Sequence, residues 1–347
     1  MKYTNISIEN FRDISHLSLT DFKTINVFVG KNNCGKTSVL EALFVLSGPT
    51  NPLPITINKL RGYKGTFDKE IFEVLFKNLD TQQTINLSCE FDSSETRILD
   101  IAVIKGQQKN GDTVFAGNDS DYFIKGLKLT LTINNSHTKK NKYVTQIVET
   151  ERTVDTDTTP KGYVETLKTT FLNPLSMLQA FSEFSGLKKR RQDKEIIGIL
   201  QQVDARIQGI ELIDDTIYCD IGNNAPLVPI HIMGDGLKHL LAIVIIMYSR
   251  QGGVVFIDEI DNGLYHETQT VLWQTVLTAA ERFNVQVFAT THSWECLSAL
   301  ANVTNSLYTN KDEVRVYRIE KENTNHKAVK IRQEILANVV EKNWEVR

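Results

Sequence analysis

The eight residues Gly30-Lys31-Asn32-Asn33-Cys34-Gly35-Lys36-Thr37 constrain this chain more than any other stretch. Residues 25–29 before them, Ile-Asn-Val-Phe-Val, read as a buried strand. After them, Val39, Leu40, Leu43, Phe44 and Leu46 recur at helical spacing. A glycine-rich turn between a strand and a helix gathers backbone N–H groups and the positive end of a helix around one point, where an anion is favoured. The flanks that such a loop needs predict an α/β fold with a phosphate-binding turn.

A second stretch, Val254-Val255-Phe256-Ile257-Asp258-Glu259-Ile260-Asp261, is an apolar strand ending in two acids. Residues 38–253 separate the two motifs, enough for a whole inserted lobe before the chain returns to the phosphate site. Ligands of open α/β sheets bind at the carboxyl ends of the strands, where Asp258 sits. Together the motifs predict binding and hydrolysis of ATP. Gly30 and Gly35 permit the tight turn, Lys36 sets a point charge on the β- and γ-phosphates, and the Thr37 hydroxyl is offered to Mg²⁺. Asp258 suits the second shell of the metal, and Glu259 is placed to orient and deprotonate a water. Another apolar strand, 285–289, ends in Thr290-Thr291-His292-Ser293, and a histidine at that edge reaches the γ-phosphate or the water.

Residues 3–11 alternate as a half-buried strand, continued at 17–19. Residues 47–66, rich in Gly, Pro, Thr and Asn, read as a surface excursion, and 71–76 as a short helix. Residues 85–91, 99–104, 127–133 and 143–148 read as antiparallel strands joined by polar turns, and 149–162 as a mobile loop. After a strand at 164–172, a helical stretch runs to about 208. Residues 210–221 and 227–232 flank Gly222-Asn223-Asn224 as a hairpin. Gly234-Asp235-Gly236 then forms a nest of N–H groups opening an apolar helix to about 250. Strands and helices alternate at 253–258, 265–282, 285–290 and 293–301, the pattern of a buried parallel sheet. Segments 314–319 and 331–340 complete a sheet edge and a helix at most.

A net charge of −3 supplies no global basic field toward nucleic acid or anionic lipid. The basic runs Lys188-Lys189-Arg190-Arg191 and Lys139-Lys140 with Lys142 read first as solvated faces. The four cysteines are scattered without a C-x-x-C pair, which argues against a zinc site or disulfide framework and fits a reducing cytoplasm. The longest apolar run, 240–248, is too short for a bilayer, so no membrane partner is expected.

The order of these pieces resembles the ABC-type ATPase heads of the RecF, SMC and OLD (overcoming lysogenization defect) proteins. Ile6-Ser7-Ile8-Glu9-Asn10-Phe11-Arg12-Asp13 looks like their opening strand. Residues 29–38, through Ser38, are similar to their phosphate-loop pattern. Gly234-Asp235-Gly236-Leu237-Lys238 resembles the abbreviated signature of OLD-like ATPases, residues 257–264 their acid pair and D-loop (Asp261, Asn262), and His292 their switch histidine. The resemblance implies a P-loop NTPase of the ABC head type with an antiparallel β lobe and a helical insertion. It implies one domain over 1–347: lobe I about 1–172, the insertion about 173–209, and lobe II about 210–347. The ATP site would draw on Gly30, Asn32, Asn33, Cys34, Gly35, Lys36, Thr37, Ser38 and Arg12, with Thr37 and Asp258 at the metal and Glu259, His292 and Lys36 in catalysis. Gly234, Asp235 and Gly236 would reach the γ-phosphate of the opposite subunit, sandwiching ATP in a homodimer that a larger assembly can contain. Arg12 would lie near the nucleotide or the signature helix. Gln179 is the nearest candidate for a Q-loop glutamine. The chain leaves no room for the TOPRIM nuclease of full OLD proteins, implying a stand-alone ATPase that regulates a separate effector, such as a nuclease, in anti-phage defence. The alternative is a RecF-like DNA-binding ATPase for repair; DNA is admitted as a partner but not demanded.

Overall fold

The computed structural model describes residues 1–48, 53–62, 70–107, 122–135, 140–149, 154–156, 160, 162–174, 180–214, 216–223, 225–307 and 311–342. Gln179, Lys139 and most of the 149–162 segment lie outside them.

A six-stranded sheet runs in the order Asn325–Arg332, Val314–Glu322, Ile25–Val29, Gln286–Thr290, Val254–Ile257, Thr169–Leu172. Its strands are parallel apart from Asn325–Arg332, which folds back antiparallel on its neighbour. Every residue of Ile25–Val29, Val254–Ile257 and Gln286–Thr290 is buried, because both faces of this sheet are covered. The two-residue period sorts the side chains. Val27, Val255, Val287 and Ala289 face a cluster built on the helices Asp235–Ser249, His266–Phe283 and Trp294–Leu307. Phe28, Phe171, Phe256 and Phe288 face the opposite cluster. Those four rings form a ladder across adjacent strands, with stacked centroids 6.1, 5.6 and 6.5 Å apart. Each such contact adds about 0.5–1.5 kcal/mol beyond area burial.

The second cluster also holds the helix Lys36–Ser47 and an antiparallel seven-stranded sheet. That sheet runs Ile14–Thr20, Tyr3–Phe11, Ile85–Phe91, Thr96–Gln107, Tyr122–Asn134, Asn141–Glu149, Val154–Thr156. Buried Gln286 fastens the two sheets together: its amide accepts from Tyr3 N at 2.8 Å and donates to Tyr3 O and Lys23 O at 2.9 Å. Among the described residues no helix is long and apolar enough to cross a membrane.

Several local expectations change. Residues 325–332 form a full strand that the end segment was not expected to contain; its polar sequence exposes alternate positions and hid the pattern. Only Thr169–Leu172 of the 164–172 stretch pairs, because Glu165 turns instead to bind Arg97 at 2.9 Å. The strand expected at 210–221 is two, Gly209–Ile213 and Thr216–Asp220, with Asp214 in a left-handed turn at φ 45°; the Gly222 bend leads only to the short Val228–Pro229. The 47–66 excursion contains the helix Leu53–Leu60, and the 149–162 segment contains the paired strand Val154–Thr156. The helix expected at 71–76 is Glu70–Glu73, with Phe76 bridged to Phe11. The helical stretch to 208 consists, in its described part, of Ala180–Lys189 and Asp193–Val203.

Candidate functional site

Strand Ile25–Val29 delivers the chain to Gly30, whose φ of 138° and close packing exclude a side chain: a Cβ there would lie 2.4 Å from the Ile319 carbonyl oxygen. Asn33 at φ 62° and Gly35 at φ 97° complete the turn, and Gly35 caps the helix Lys36–Ser47. The Lys36 ammonium folds back over the loop and donates to the carbonyls of Gly30 at 2.8 Å and Lys31 at 2.9 Å. Cys34 turns its thiol beneath the loop, where burial raises its pKa, and its amide donates to Lys31 O.

The acid pair arrives from the other end of the sequence. The Thr37 hydroxyl donates to Asp258 at 3.0 Å, and the Thr290 hydroxyl, from the end of the neighbouring parallel strand, donates to the same carboxylate at 2.6 Å. Thr290 Oγ1 in turn accepts the Glu259 N–H at 2.8 Å. Burial raises the Asp258 pKa; the hydroxyls of Thr290 and Thr37 oppose that, while the charges of Glu259 and Glu41 add to it. A dication would reverse the balance and hold Asp258 ionised. The donor set is hydroxyl and carboxylate oxygen, which suits Mg²⁺, an ion held by one or two protein oxygens with phosphates and waters. Among the described residues no group of three or more His, Cys, Asp or Glu that could hold a metal occurs.

Glu259 sits at φ 52°, a left-handed conformation costing about 1–2 kcal/mol for a residue with a Cβ. Its carboxylate is aimed by Asn262 Nδ2, which donates to Oε2 at 2.9 Å. His292 is exposed at the end of strand Gln286–Thr290.

These groups line one cleft of about 580 Å³: Arg12, Asn32, Asn33, Gly35, Lys36, Thr37, Ser38, Asp258, Glu259 and His292 from the sequence-derived set, joined by Asp13, Arg61, Thr290 and Thr291. Gly30 and Cys34 shape the loop without lining the cleft. Arg12 is largely committed: at φ 56° it donates to Glu41 at 3.1 Å and to Val74 O at 3.1 Å.

Arg61 joins the cleft without a motif in the sequence to mark it. It follows helix Leu53–Leu60, donates to Glu41 at 2.6 and 2.9 Å, and reaches Ser38 Oγ at 3.3 Å. Glu41 is only 1% exposed and two guanidiniums converge on it, while Arg61 also feels the charge of Asp258 across the cleft. The signal was Glu41 itself, an acid inside an otherwise apolar run, since a buried carboxylate requires a cation.

The signature residues lie elsewhere on the chain. Gly234 (φ 103°) and Asp235 are exposed at the start of helix Asp235–Ser249, and Gly236 packs toward Leu264 and Thr268. None of the three lines the cleft. Asp261 is 9% exposed and turned inward, while Asn262 is exposed. In the basic run, Lys188 is held by Ile210 O at 2.6 Å and Glu211 at 2.7 Å, leaving Lys189, Arg190 and Arg191 exposed.

An "ATP/GTP phosphatase" from Helicobacter pylori is 25% identical over 331 residues, covering 86% of this chain and 87% of its own. The DNA replication and repair protein RecF of Francisella tularensis is 34% identical over 106 residues, 30% of this chain and 29% of that protein. Among solved structures, an SMC head bound to the C-winged helix domain of ScpA superposes with a TM-score of 0.50 at 11% identity, over 96% of this chain and 98% of that one, a likeness of fold. Residues 25–298 match the family described as "AAA domain, putative AbiEii toxin, Type IV TA system", and the chain therefore belongs to that family, within the ABC-type, RecF- and SMC-like ATPases.

Proposed function

We propose that this chain hydrolyses ATP to ADP and phosphate in the cleft, and that two copies close head to head around the nucleotide to govern a separate effector. The observation that carries the chemistry is the convergence of the Thr37 hydroxyl, Asp258, Glu259 and His292 on one side of the phosphate loop. The loop amides and Lys36 bind the β- and γ-phosphates, with Lys36 exchanging its carbonyl partners for phosphate oxygens. Thr37 and Asp258 would hold Mg²⁺, which would supply neutralisation of the charge developing on the phosphates. Glu259, aimed by Asn262, takes the proton of the attacking water as that oxygen bonds to the γ-phosphorus and the bond to the ADP oxygen breaks. His292 hydrogen-bonds the γ-phosphate, and Arg61 adds positive charge to the same wall.

Supporting the paired arrangement, the Gly234-Asp235-Gly236 helix start, exposed at Gly234 and Asp235, does not line the cleft that holds Lys36 and Thr37, although its amides suit a phosphate. Ile232, two residues before Gly234, is 68% exposed, and Tyr265, next to the Leu264 that Gly236 approaches, is 83% exposed; both are apolar groups that a second chain would cover. The phosphatase relative supports turnover, and the toxin–antitoxin wording of the family description supports a defence role with an effector. The DNA-repair reading rests on RecF relatives matched over a third of the chain or less, and Lys188 of the basic run is already held within the fold. Phosphate release from MgATP, set against a Lys36→Ala chain, tests the chemistry: release must fall to background in the variant, and equal release in both overturns the assignment.

A further inference from the structure

Helix Asp235–Ser249 carries His239 four residues after Asp235, on the same helical face. The His239 Nε2 stands 2.8 Å from the Ile260 carbonyl oxygen. A carbonyl only accepts, so Nε2 carries the proton. Burial lowers the pKa of this imidazole, against the opposing effects of the Ile260 carbonyl and the Asp261 charge, and so favours the neutral ring.

Ile260 immediately follows the strained Glu259. The residues around it are clamped from two other directions: Glu259 N–H donates to Thr290 Oγ1, and Ile260 N–H donates to Thr290 O at 3.0 Å. Asn262 closes the turn, through its N–H to Glu259 O at 2.9 Å and its side chain to the Glu259 carboxylate. A left-handed non-glycine residue persists only while its surroundings over-determine it. From the helix whose first residue is Asp235, His239 donates to that carbonyl.

We infer that His239 is a positioning residue: it ties the Asp235 helix to the Glu259 turn, so that displacement of the helix start changes the aim of the catalytic carboxylate in the same chain. Combined with the paired reading proposed above, the link has a consequence. Asp235 answers the partner's phosphate while Glu259 serves its own, so each protomer's carboxylate is set by whether the neighbouring site is loaded. Hydrolysis at the two sites is then coupled in each chain, with the His239–Ile260 hydrogen bond as the directional link.

Two variants separate positioning from simple packing. His239→Leu removes the donor at similar volume, and His239→Gln restores an N–H at the position of Nε2. The readouts are amide exchange of residues 260–264 in the nucleotide-free chain, fluorescent-ATP affinity, and kcat with its dependence on ATP concentration. For His239→Leu, exchange in 260–264 quickens about tenfold, kcat falls about tenfold, the Hill coefficient drops from near 2 to near 1, and affinity changes less than about threefold. His239→Gln recovers most of the loss. Wild-type exchange and kcat in His239→Leu overturn the inference, and so does a kcat loss matched by an equal affinity loss or left unrescued by Gln. If exchange and kcat respond as expected but the wild-type chain stays monomeric with MgATP, the His239 link stands and the paired reading falls.

Discussion

Thr37 and Asp258, 221 positions apart, share a hydrogen bond of 3.0 Å between the first turn of a helix and the end of a strand two places away in the sheet. The contact brings a hydroxyl and a carboxylate to one point, and a metal bound there would couple the two motifs. Asp258→Asn keeps the shape and the Thr290 contact but removes the charge. Titrating hydrolysis with Mg²⁺ should show a requirement about 10–100-fold higher. An unchanged Mg²⁺ curve would remove Asp258 from the metal.

Glu259 is held by Asn262, and the two should not be equivalent when altered. Glu259→Gln preserves the hydrogen bond in form and removes the base, so kcat should fall by about 10²–10⁴ while bound ATP is retained. Asn262→Ala leaves the base but frees its aim, for a loss of about tenfold. Single-turnover kinetics with radiolabelled ATP distinguish the two; equal losses would show that Asn262 does more than aim the carboxylate.

Two adjacent glycines differ in what surrounds them. A Cβ at Gly253 would stand 2.1 Å from the Lys168 carbonyl oxygen, just before the strand Val254–Ile257 that leads to Asp258, whereas a Cβ at Gly252 meets nothing within 4 Å. Gly253→Ala must displace backbone and should cost about 1–3 kcal/mol. Gly252→Ala, at φ 72°, pays only for the left-handed backbone, about 1 kcal/mol. Urea midpoints of the two variants check the order.

Arg315 is 3% exposed and is held by Asp312 at 2.7 Å and Asp21 at 2.8 Å. Its hydrogen bonds, with Lys23 beside them, bring the Asp312 carboxyl down to about 2 from an ordinary 3.8. A depressed carboxyl pKa contributes stability that is complete above the ordinary value and disappears as pH falls through the folded one. Wild-type protein should therefore lose urea resistance between about pH 4 and pH 2 more steeply than Asp312→Asn. Parallel curves would contradict the pairing.

The sequence made the phosphate loop, the acid pair and the parallel strands legible, because glycine spacing and fully apolar strands leave few alternatives. The structure brings Lys36, Thr37, Asp258, Glu259 and His292 to one cleft. It hid whatever depends on tertiary partners. Arg61 has no local mark, and its place follows from the buried Glu41. Strand Asn325–Arg332 is polar along much of its length because it closes a sheet edge, and its pairing with Val314–Glu322 supplies the order that its sequence does not. The break at Asp214 carries a left-handed backbone between two similar apolar runs, which periodicity reads as continuous.

The central claim is that one nucleotide is gripped by two chains, with Asp235 of one closing over the phosphate held by Lys36 of the other. Light scattering after gel filtration of Glu259→Gln with MgATP tests it most directly. The account predicts a species of twice the 39.3 kDa chain mass that requires ATP and disappears when Asp235→Pro, which removes an amide donor at a first-turn position that tolerates proline, is added to the same chain. ATP-bound Glu259→Gln that stays at the mass of one chain, or a double variant that pairs as well as the single one, would contradict it.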